Sequence, residues 1–215
     1  MSDAHSDELY LAAASWKELI DYSYRFTYGY KMRLHEIFLS FSAEDFPHLA
    51  GFQYLKDVSF PKFNPRKTVD MILNGKINIT QVQKGSQFET SVKPRLEALI
   101  RLKSTLDQEF LLYSYMPQFY SFTTQIKADY LISTAAAPTD FYFIIKEDPF
   151  QKAAQFDCVC CSAFTKGERD YRNGQRTRAI LKKERIHIPT STTTILYDQL
   201  TLQQSKADDS QTSDS

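Results

Sequence analysis

The chain of 215 residues is long enough to bury one substantial hydrophobic core and too short to require two. Basic and acidic residues number 26 each, so the formal net charge is zero and attraction to a polyanion must come from local charge asymmetry. No apolar stretch is long enough to span a bilayer, and residues 1–8 are acidic and lack the order of a signal peptide. A cytoplasmic location is therefore expected.

The first half of the chain predicts a helix, two strands, short helices from Asp45 and at Arg66 to Leu73, and then a long helix. Apolar residues between positions 9 and 20 recur at helical spacing. Aromatic residues from Tyr22 to Tyr30 follow a strict period of two, which is typical of a strand, and Leu34 to Phe41 predicts a second strand. An apolar stripe from Val92 to Tyr113 predicts the strongest helix.

The last third of the chain predicts strands. Phe141 to Ile145 is a continuous apolar run, Asp157 to Phe164 carries three cysteines, and Asn173-Gly174 is a strong turn signal. We therefore expect Ala179 to Ile188 to return as a hairpin partner or a long arm. The order of elements favours an α+β fold with an antiparallel sheet over a doubly wound fold.

Composition divides the chain into three parts. Residues 8–200 are expected to form a single domain. Residues 1–7 are expected to be disordered, and so is the polar tail at 201–215, which is rich in Ser, Asp and Gln and cannot bury enough apolar area to become ordered.

The predicted hairpin carries a local excess of positive charge, with eight basic and three acidic side chains between residues 166 and 185. The basic residues are Lys166, Arg169, Arg172, Arg176, Arg178, Lys182, Lys183 and Arg185. Such an element presents cations to phosphate groups, and Tyr171 is available to stack on a base. A solvated hairpin with intervening acids explains the same composition equally well.

His48 is the single residue with the clearest chemical interest. Asp45 is a good N-cap and Pro47 is tolerated in a first helical turn, so His48 is expected in the first turn of a short helix. The positive end of the helix dipole favours the neutral imidazole, which a general base requires at neutral pH. The simpler alternative is a partly buried histidine that packs this turn.

The three cysteines, Cys158, Cys160 and Cys161, form an odd and clustered set that is a poor disulfide framework and favours a reducing compartment. Their spacing lacks the two-residue gap of zinc knuckles, and no second ligand pair follows. Because Cys158 and Cys160 share one face of a strand, core packing is the better interpretation.

A second histidine lies on the second predicted strand, where His35 and Arg33 share a face. This face is either one wall of a site or an exposed strand surface. The chain contains no Gly-rich phosphate loop, Gly-x-Ser-x-Gly elbow or His-Glu-x-x-His helix. A small-molecule enzyme that uses the aromatic strands as a pocket therefore has no cofactor motif to support it, and no cofactor is expected.

Several segments taken together resemble a known family. They are FPHLAGFQYLKD (46–57), ILNGKI (72–77), RLEALIRLKSTLD (95–107), IKADYLIST (126–134), FYFIIKED (141–148) and CCSAFTKGERDYRNGQRTRAILKKERI (160–186). In this order they resemble a phage-associated branch of the barnase/EndoU/colicin/RelE-like nuclease superfamily, over roughly residues 8 to 188. The segment around His48 and the final basic segment are the most specific.

The resemblance implies a small metal-independent RNase fold, with helices packed on one face of an antiparallel sheet of about four strands and a basic C-terminal hairpin. The other face of the sheet would hold RNA. Catalysis in such folds is transesterification, in which the ribose 2′-OH attacks its own phosphate while a base and an acid move protons and cations stabilise the phosphorane.

The resemblance places His48 at the histidine of this branch, and we predict that it acts as the general acid or base. Tyr171, Arg176 and Lys146 are the further predicted catalytic residues. The predicted substrate-binding residues are Thr165, Lys166, Arg169, Arg172, Arg178 and Lys182. No metal ligand is predicted.

The predicted function is an endoribonuclease of phage or mobile-element type that acts as a toxin or effector. Its predicted partners are RNA, either tRNA or mRNA, and an immunity or antitoxin protein, without a membrane. The alternative is a non-catalytic module of the same fold that binds nucleic acid or protein.

Overall fold

A computed structural model describes residues 7–60, 64–147 and 155–201. Its helices are α1 (Glu8–Leu19), α2 (Phe46–Leu49), α3 (Thr68–Leu73), α4 (Ile79–Val82) and α5 (Lys93–Asp107). Asp7 caps α1, because its carboxylate accepts a hydrogen bond from the backbone N–H of Tyr10. Within these ranges, every helix is too short or too polar to cross a bilayer.

Nine strands of the described part of the chain form one sheet. They are β1 (Tyr22–Tyr30), β2 (Arg33–Ser40), β3 (Phe110–Ser114), β4 (Tyr130–Thr134), β5 (Asp140–Lys146), β6 (Gln155–Thr165), β7 (Arg176–Arg178), β8 (Ile180–His187) and β9 (Thr192–Asp198). Their order is β7-β3-β4-β5-β6-β2-β1-β8-β9, and β2 with β6 is the one parallel pair in it. The sheet is therefore mixed.

The sheet curls into a half-barrel because two consecutive strands, β7 and β8, pair with strands that lie far apart in the strand order. Strand β7 pairs with β3, and β8, which follows after the single residue Ala179, pairs with β1. The backbone N–H of Gly29 donates to the carbonyl of Ala179 at 3.4 Å, which holds the junction against β1. The first strand of the order, β7, and its second-to-last strand, β8, are thus joined at Ala179.

Helices α1 and α5 pack on the concave side of the half-barrel. Buried residues of α1, including Leu9 and Trp16, and of α5, including Leu99, join inward-facing strand residues such as Phe26 and Leu39 in one core. Successive side chains of a strand point to opposite faces of the sheet, so every second side chain faces the helices. The indole N–H of Trp16 donates to the carbonyl of Ser42 at 3.0 Å, which satisfies its buried polar atom.

The convex side of β3 to β6 carries a second core, the outer aromatic cluster. Phe141, Phe143 and Phe164 pack there around the ring of Tyr171, with centroid distances of 5.2 to 5.5 Å to that ring. Tyr120 and Phe122 close the cluster from the chain segment after β3. Both faces of this part of the sheet are consequently covered.

The predicted fold class is wrong in its architecture. The structure has nine strands in a curled mixed sheet, whereas we expected about four antiparallel strands with helices on one face. The parallel pairing of β2 with β6 links residues more than a hundred positions apart, and local periodicity carries no signal for such a contact.

The predicted basic hairpin is also wrong. Asn173-Gly174 does form a turn, with a positive φ of 74° at Gly174, but β7 pairs with β3 rather than returning along β6. The strands expected at Tyr22–Tyr30 and within 34–41 are confirmed as β1 and β2. The apolar stripe that predicted one helix as far as Tyr113 belongs to two elements, because α5 ends at Asp107 and β3 begins at Phe110. Alternate residues of β3 face the same core as the helix, which is why the stripe continues.

The expected disorder of 1–7 and 201–215 falls, apart from Asp7 and Thr201, outside the described residues.

Candidate active site

One end of the half-barrel collects polar, aromatic and basic side chains on its concave side. We call this end the mouth, and it consists of Tyr28, Tyr30, His35, Ser114, Tyr130, Lys146 and Arg178. The pairing register explains the convergence, because Tyr28 lies opposite His35 and Ser114 lies opposite Tyr130. Directly opposed residues of two antiparallel strands point to the same face.

Two buried tyrosines bridge the mouth. The hydroxyl oxygens of Tyr28 and Tyr130 lie 3.1 Å apart, although β1 and β4 are not neighbours in the sheet. Burial raises the pKa of Tyr28 and raises the pKa of Tyr130 still further. Both phenols therefore stay protonated at neutral pH and remain hydrogen-bond donors.

His35 stacks on the first of these tyrosines. Its ring centroid lies 5.4 Å from that of Tyr28 at an interplanar angle of 18°, and 6.0 Å from that of Tyr30. The Nδ1 atom of His35 is buried and has no hydrogen-bond partner within the described residues. A buried nitrogen in this state is uncommon, and a water molecule or a ligand would satisfy it.

Arg178 supplies the principal cation of the mouth. Its Nε donates to the hydroxyl of Ser114 at 2.8 Å, and its guanidinium carbon lies 3.9 Å from the ring centroid of Tyr30. Arg176 lies two residues earlier on the same strand face and is exposed. Across residues 7–60, 64–147 and 155–201, no carboxylate lies within 4.0 Å of either guanidinium.

Lys146 adds a further positive charge at the end of β5. Its Nζ lies 5.6 Å from the ring centroid of Tyr130 and 3.8 Å from a carboxylate oxygen of Asp129. Lys31 and Arg33, which are exposed at the β1–β2 turn, extend the positive region, since the Nζ of Lys31 lies 5.3 Å from the ring centroid of Tyr30. The mouth therefore carries a net positive potential suited to a phosphate backbone.

The structure brings three of the predicted site residues to this region, namely Lys146, Arg176 and Arg178. Thr165 lies elsewhere, and its hydroxyl is already engaged. It donates to a carboxylate oxygen of Asp140 at 2.7 Å and accepts from the Nη2 of Arg101 at 2.7 Å. Because Asp140 is fully buried, this network holds α5 against β5 and β6.

The other predicted phosphate contacts lie mostly in ion pairs. Lys166 and Arg172 both bind Asp170, at 2.9 Å and 2.6 Å, and these partners hold the pKa of that carboxyl far below its usual range. Lys182 lies 3.1 Å from a carboxylate oxygen of Glu184. Arg169 has no ion pair within the described residues, and its guanidinium carbon lies 4.8 Å from the ring centroid of Phe122.

Tyr171 lies in the outer aromatic cluster with its side chain buried. Five aromatic rings surround this buried ring, so it is not open to a nucleic-acid base. Its catalytic assignment, like those of the other residues away from the mouth, stays a prediction.

His48 is exposed at the third position of α2. Its backbone carbonyl accepts from the N–H of Gly51 at 3.0 Å. In the part of the chain that the structure describes, no hydrogen bond or ring contact joins its side chain to the mouth. Its expected position in a short helix is confirmed, and its catalytic role stays a prediction.

The cysteines take the expected positions on β6. Cys158 and Cys160 are buried in the concave core, and burial raises the pKa of the Cys158 thiol to about 12. Cys161 points to the outer cluster, where its thiol donates to the carbonyl of Lys127 at 3.3 Å. Core packing is confirmed for the first two.

Sequence reasoning missed Tyr28, Tyr30, Ser114 and Tyr130 as site residues, and it left His35 between a site wall and an exposed face. The strict period of two in β1 was the available signal, because it places all alternate tyrosines on one face. Tyr130 on β4 could not be predicted as a site residue, because it reaches the mouth only through the curl of the sheet.

A concave sheet end that combines unpaired arginines, stacked aromatic rings and a histidine has the chemistry of a nucleic-acid-binding site. A family model described as phage-Barnase-EndoU-ColicinE5/D-RelE like nuclease4 matches residues 8–200, and the chain belongs to that nuclease family. Its substrate is accordingly a nucleic acid. No curated protein and no solved structure matches the chain.

Proposed function

We propose that this nuclease is a metal-independent endoribonuclease that cleaves RNA at the mouth by attack of the ribose 2′-OH on the adjacent phosphate. The observation that carries the proposal is the juxtaposition of His35, whose buried Nδ1 lacks a partner among the described residues, with Arg176 and Arg178, which form no ion pair there. Membership of a nuclease family supports cleavage, and the mouth supplies the groups that this reaction needs.

In the proposed reaction, Arg178 and Arg176 bind the scissile phosphate. The guanidinium of Arg178 is held by Ser114 and by the ring of Tyr30, so its orientation is set before substrate arrives. A planar guanidinium offers two parallel donors to phosphate oxygens, and these bonds strengthen as the phosphorane gains charge.

His35 is the proposed proton acceptor for the 2′-OH; as the 2′-oxygen bonds to phosphorus, the P–O5′ bond breaks and the leaving 5′-oxygen takes a proton from water. Its ring is held flat against Tyr28, which restricts its rotation, and an imidazole is well matched to proton transfer near neutral pH. One hydroxyl of the Tyr28–Tyr130 pair donates to the other, and the remaining hydroxyl proton is proposed to donate to a non-bridging oxygen, because burial keeps both phenols protonated.

The test compares two substrates of one sequence in EDTA, an RNA and the corresponding DNA. The proposal predicts cleavage of the RNA alone, with 2′,3′-cyclic phosphate and 5′-hydroxyl ends. Cleavage of the DNA as well as the RNA, or products with 5′-phosphate ends, would exclude attack by the 2′-OH. Salt-dependent binding with no cleavage would instead favour a non-catalytic nucleic-acid-binding module.

We also propose that the enzyme acts as a toxin or effector of a phage or mobile element, with tRNA or mRNA as target and an immunity protein as partner. The phage association in the family description supports this setting. Inducible expression in a bacterial host should arrest growth, and His35→Ala should relieve the arrest. Equal growth of cells that express either protein at equal levels would contradict it.

A further inference from the structure

The half-barrel has an opening beside the mouth, which we call the slot. Phe110 and Leu111, the residues of β3 that precede Leu112, have no partner strand on the β7 side, because β7 ends at Arg178 and the chain continues through Ala179 to join β1. A cavity of about 440 Å³ lies in the resulting gap. The residues that line it and are used below are Glu109, Leu111, Ala135, Arg178, Lys183 and Tyr197.

Lys183 is the polar group at the floor of the slot. It is only 5% exposed, its ammonium donates to the carbonyl of Gln108, and it lies 5.0 Å from the ring centroid of Phe110. Among the described residues, no carboxylate forms an ion pair with it. The carboxylates of Asp107 and Glu109 act on it through space. An ammonium has three donors, so Lys183 retains capacity for an acceptor that enters the slot.

The rim of the slot is apolar and aromatic. Leu111 and Tyr197 are each 40% exposed, and both line the cavity. An exposed ring beside a partly buried donor is the arrangement by which proteins hold a single unstacked base. Arg178 lines the slot and also belongs to the mouth, so a nucleotide in the slot would be continuous with a phosphate bound there.

We propose that the slot holds one unstacked base of the RNA and prefers guanine and uracil, which have a carbonyl at the purine 6 or pyrimidine 4 position, over adenine and cytosine, which have an amino group there. This inference rests on the proposed function for the placement of the backbone at the mouth. Lys183 can only donate, so an exocyclic carbonyl satisfies it, whereas an exocyclic amino group at the same place leaves both donors unpaired.

The experiment measures binding separately from cleavage. The probes are fluorescein-labelled 2′-O-methyl trinucleotides that carry one base between two abasic positions, and their anisotropy is followed in EDTA. The guanine and uracil probes should bind about tenfold more tightly than the adenine and cytosine probes. Lys183→Met should remove this preference, and Tyr197→Ala should weaken all four probes about tenfold.

A matched pair of variants guards against loss of folding. Ala135 and Ala136 are both exposed on the loop after β4, and of the two only Ala135 lines the slot. Ala135→Trp should fill the slot and weaken all four probes, and Ala136→Trp should leave them unchanged. Equal binding of the four bases, or wild-type binding by Ala135→Trp, would overturn the proposal.

The two proposals can fail independently. Base preference without cleavage of natural RNA would uphold the slot and overturn the nuclease mechanism. Cleavage with no base preference, unchanged by Ala135→Trp, would overturn the slot and leave the mechanism in place.

Discussion

The hydroxyl groups of Tyr28 and Tyr130 meet at 3.1 Å across the concave side of the sheet, from strands that are four places apart in its order. This contact closes the base of the mouth and supports His35, which stacks on Tyr28. Because both hydroxyls are buried, each depends on the other to satisfy its hydrogen bond. The curl of the sheet and the proposed active site therefore share one interaction.

The hydroxyl groups of Tyr28 and Tyr130 should contribute to stability as a coupled pair. Tyr28→Phe leaves the Tyr130 hydroxyl buried without its partner, which should lower the free energy of unfolding by about 1–3 kcal/mol. The double variant with Tyr130→Phe should lose less than the sum of the two single variants, as urea denaturation would measure. Additive losses would show that the contact does not stabilise the fold.

Arg178 and Lys182 form a matched pair of cations. Arg178 has no carboxylate partner within the described residues, whereas Lys182 lies 3.1 Å from Glu184. Arg178→Ala should weaken RNA binding and reduce the slope of log affinity against log salt concentration by about 1. Lys182→Ala should change the slope little. The reverse ranking would move the phosphate-binding surface away from the mouth.

The buried ion pair of Arg101 and Asp140 should matter for stability. Arg101 holds the fully buried carboxylate through two hydrogen bonds of 2.7 and 2.8 Å. Arg101→Met leaves that charge without its cation and should lower the free energy of unfolding by about 3–5 kcal/mol. Lys17→Met, which breaks an exposed pair with Asp70, should cost under about 1 kcal/mol. Similar losses for both variants would contradict this ranking.

Lys183 should make stability depend on pH in the alkaline range. Burial lowers its pKa to about 8, below the ordinary value of 10.5. Above pH 8 the folded protein releases this proton while the unfolded chain still holds it, so stability should rise with pH. Relative to Lys183→Met, the wild type should gain on the order of 1–2 kcal/mol between pH 8 and 9.5. A constant difference between the two proteins in urea denaturation would contradict this assignment.

The sequence allowed the prediction of elements that have a strong local period. The alternating aromatics of β1 and the inward cysteines of β6 are confirmed, because one residue in two must face the core of a half-buried strand. The turn at Gly174 was also predictable, because glycine accommodates its positive φ readily.

Contacts between distant strands were beyond local reasoning. The parallel pairing of β2 with β6 and the split of one stretch into β7 and β8 arise from the whole sheet. For the same reason the basic segment was predicted to form one surface. In the structure, Arg178 lies at the mouth, Lys182 pairs with Glu184, and Lys183 lines the slot on the side of the core. Strand alternation alone separates these last two neighbours.

The central claim is that catalysis takes place at the mouth, and cleavage of mixed-sequence RNA in EDTA by His35→Ala and His48→Ala tests it most directly. Thermal melts of both variants establish that they fold. We expect His35→Ala to lose at least about a hundredfold in rate, as general acid–base groups do, and His48→Ala to retain wild-type activity. Full activity of His35→Ala together with loss in His48→Ala would contradict the claim and place the chemistry on α2.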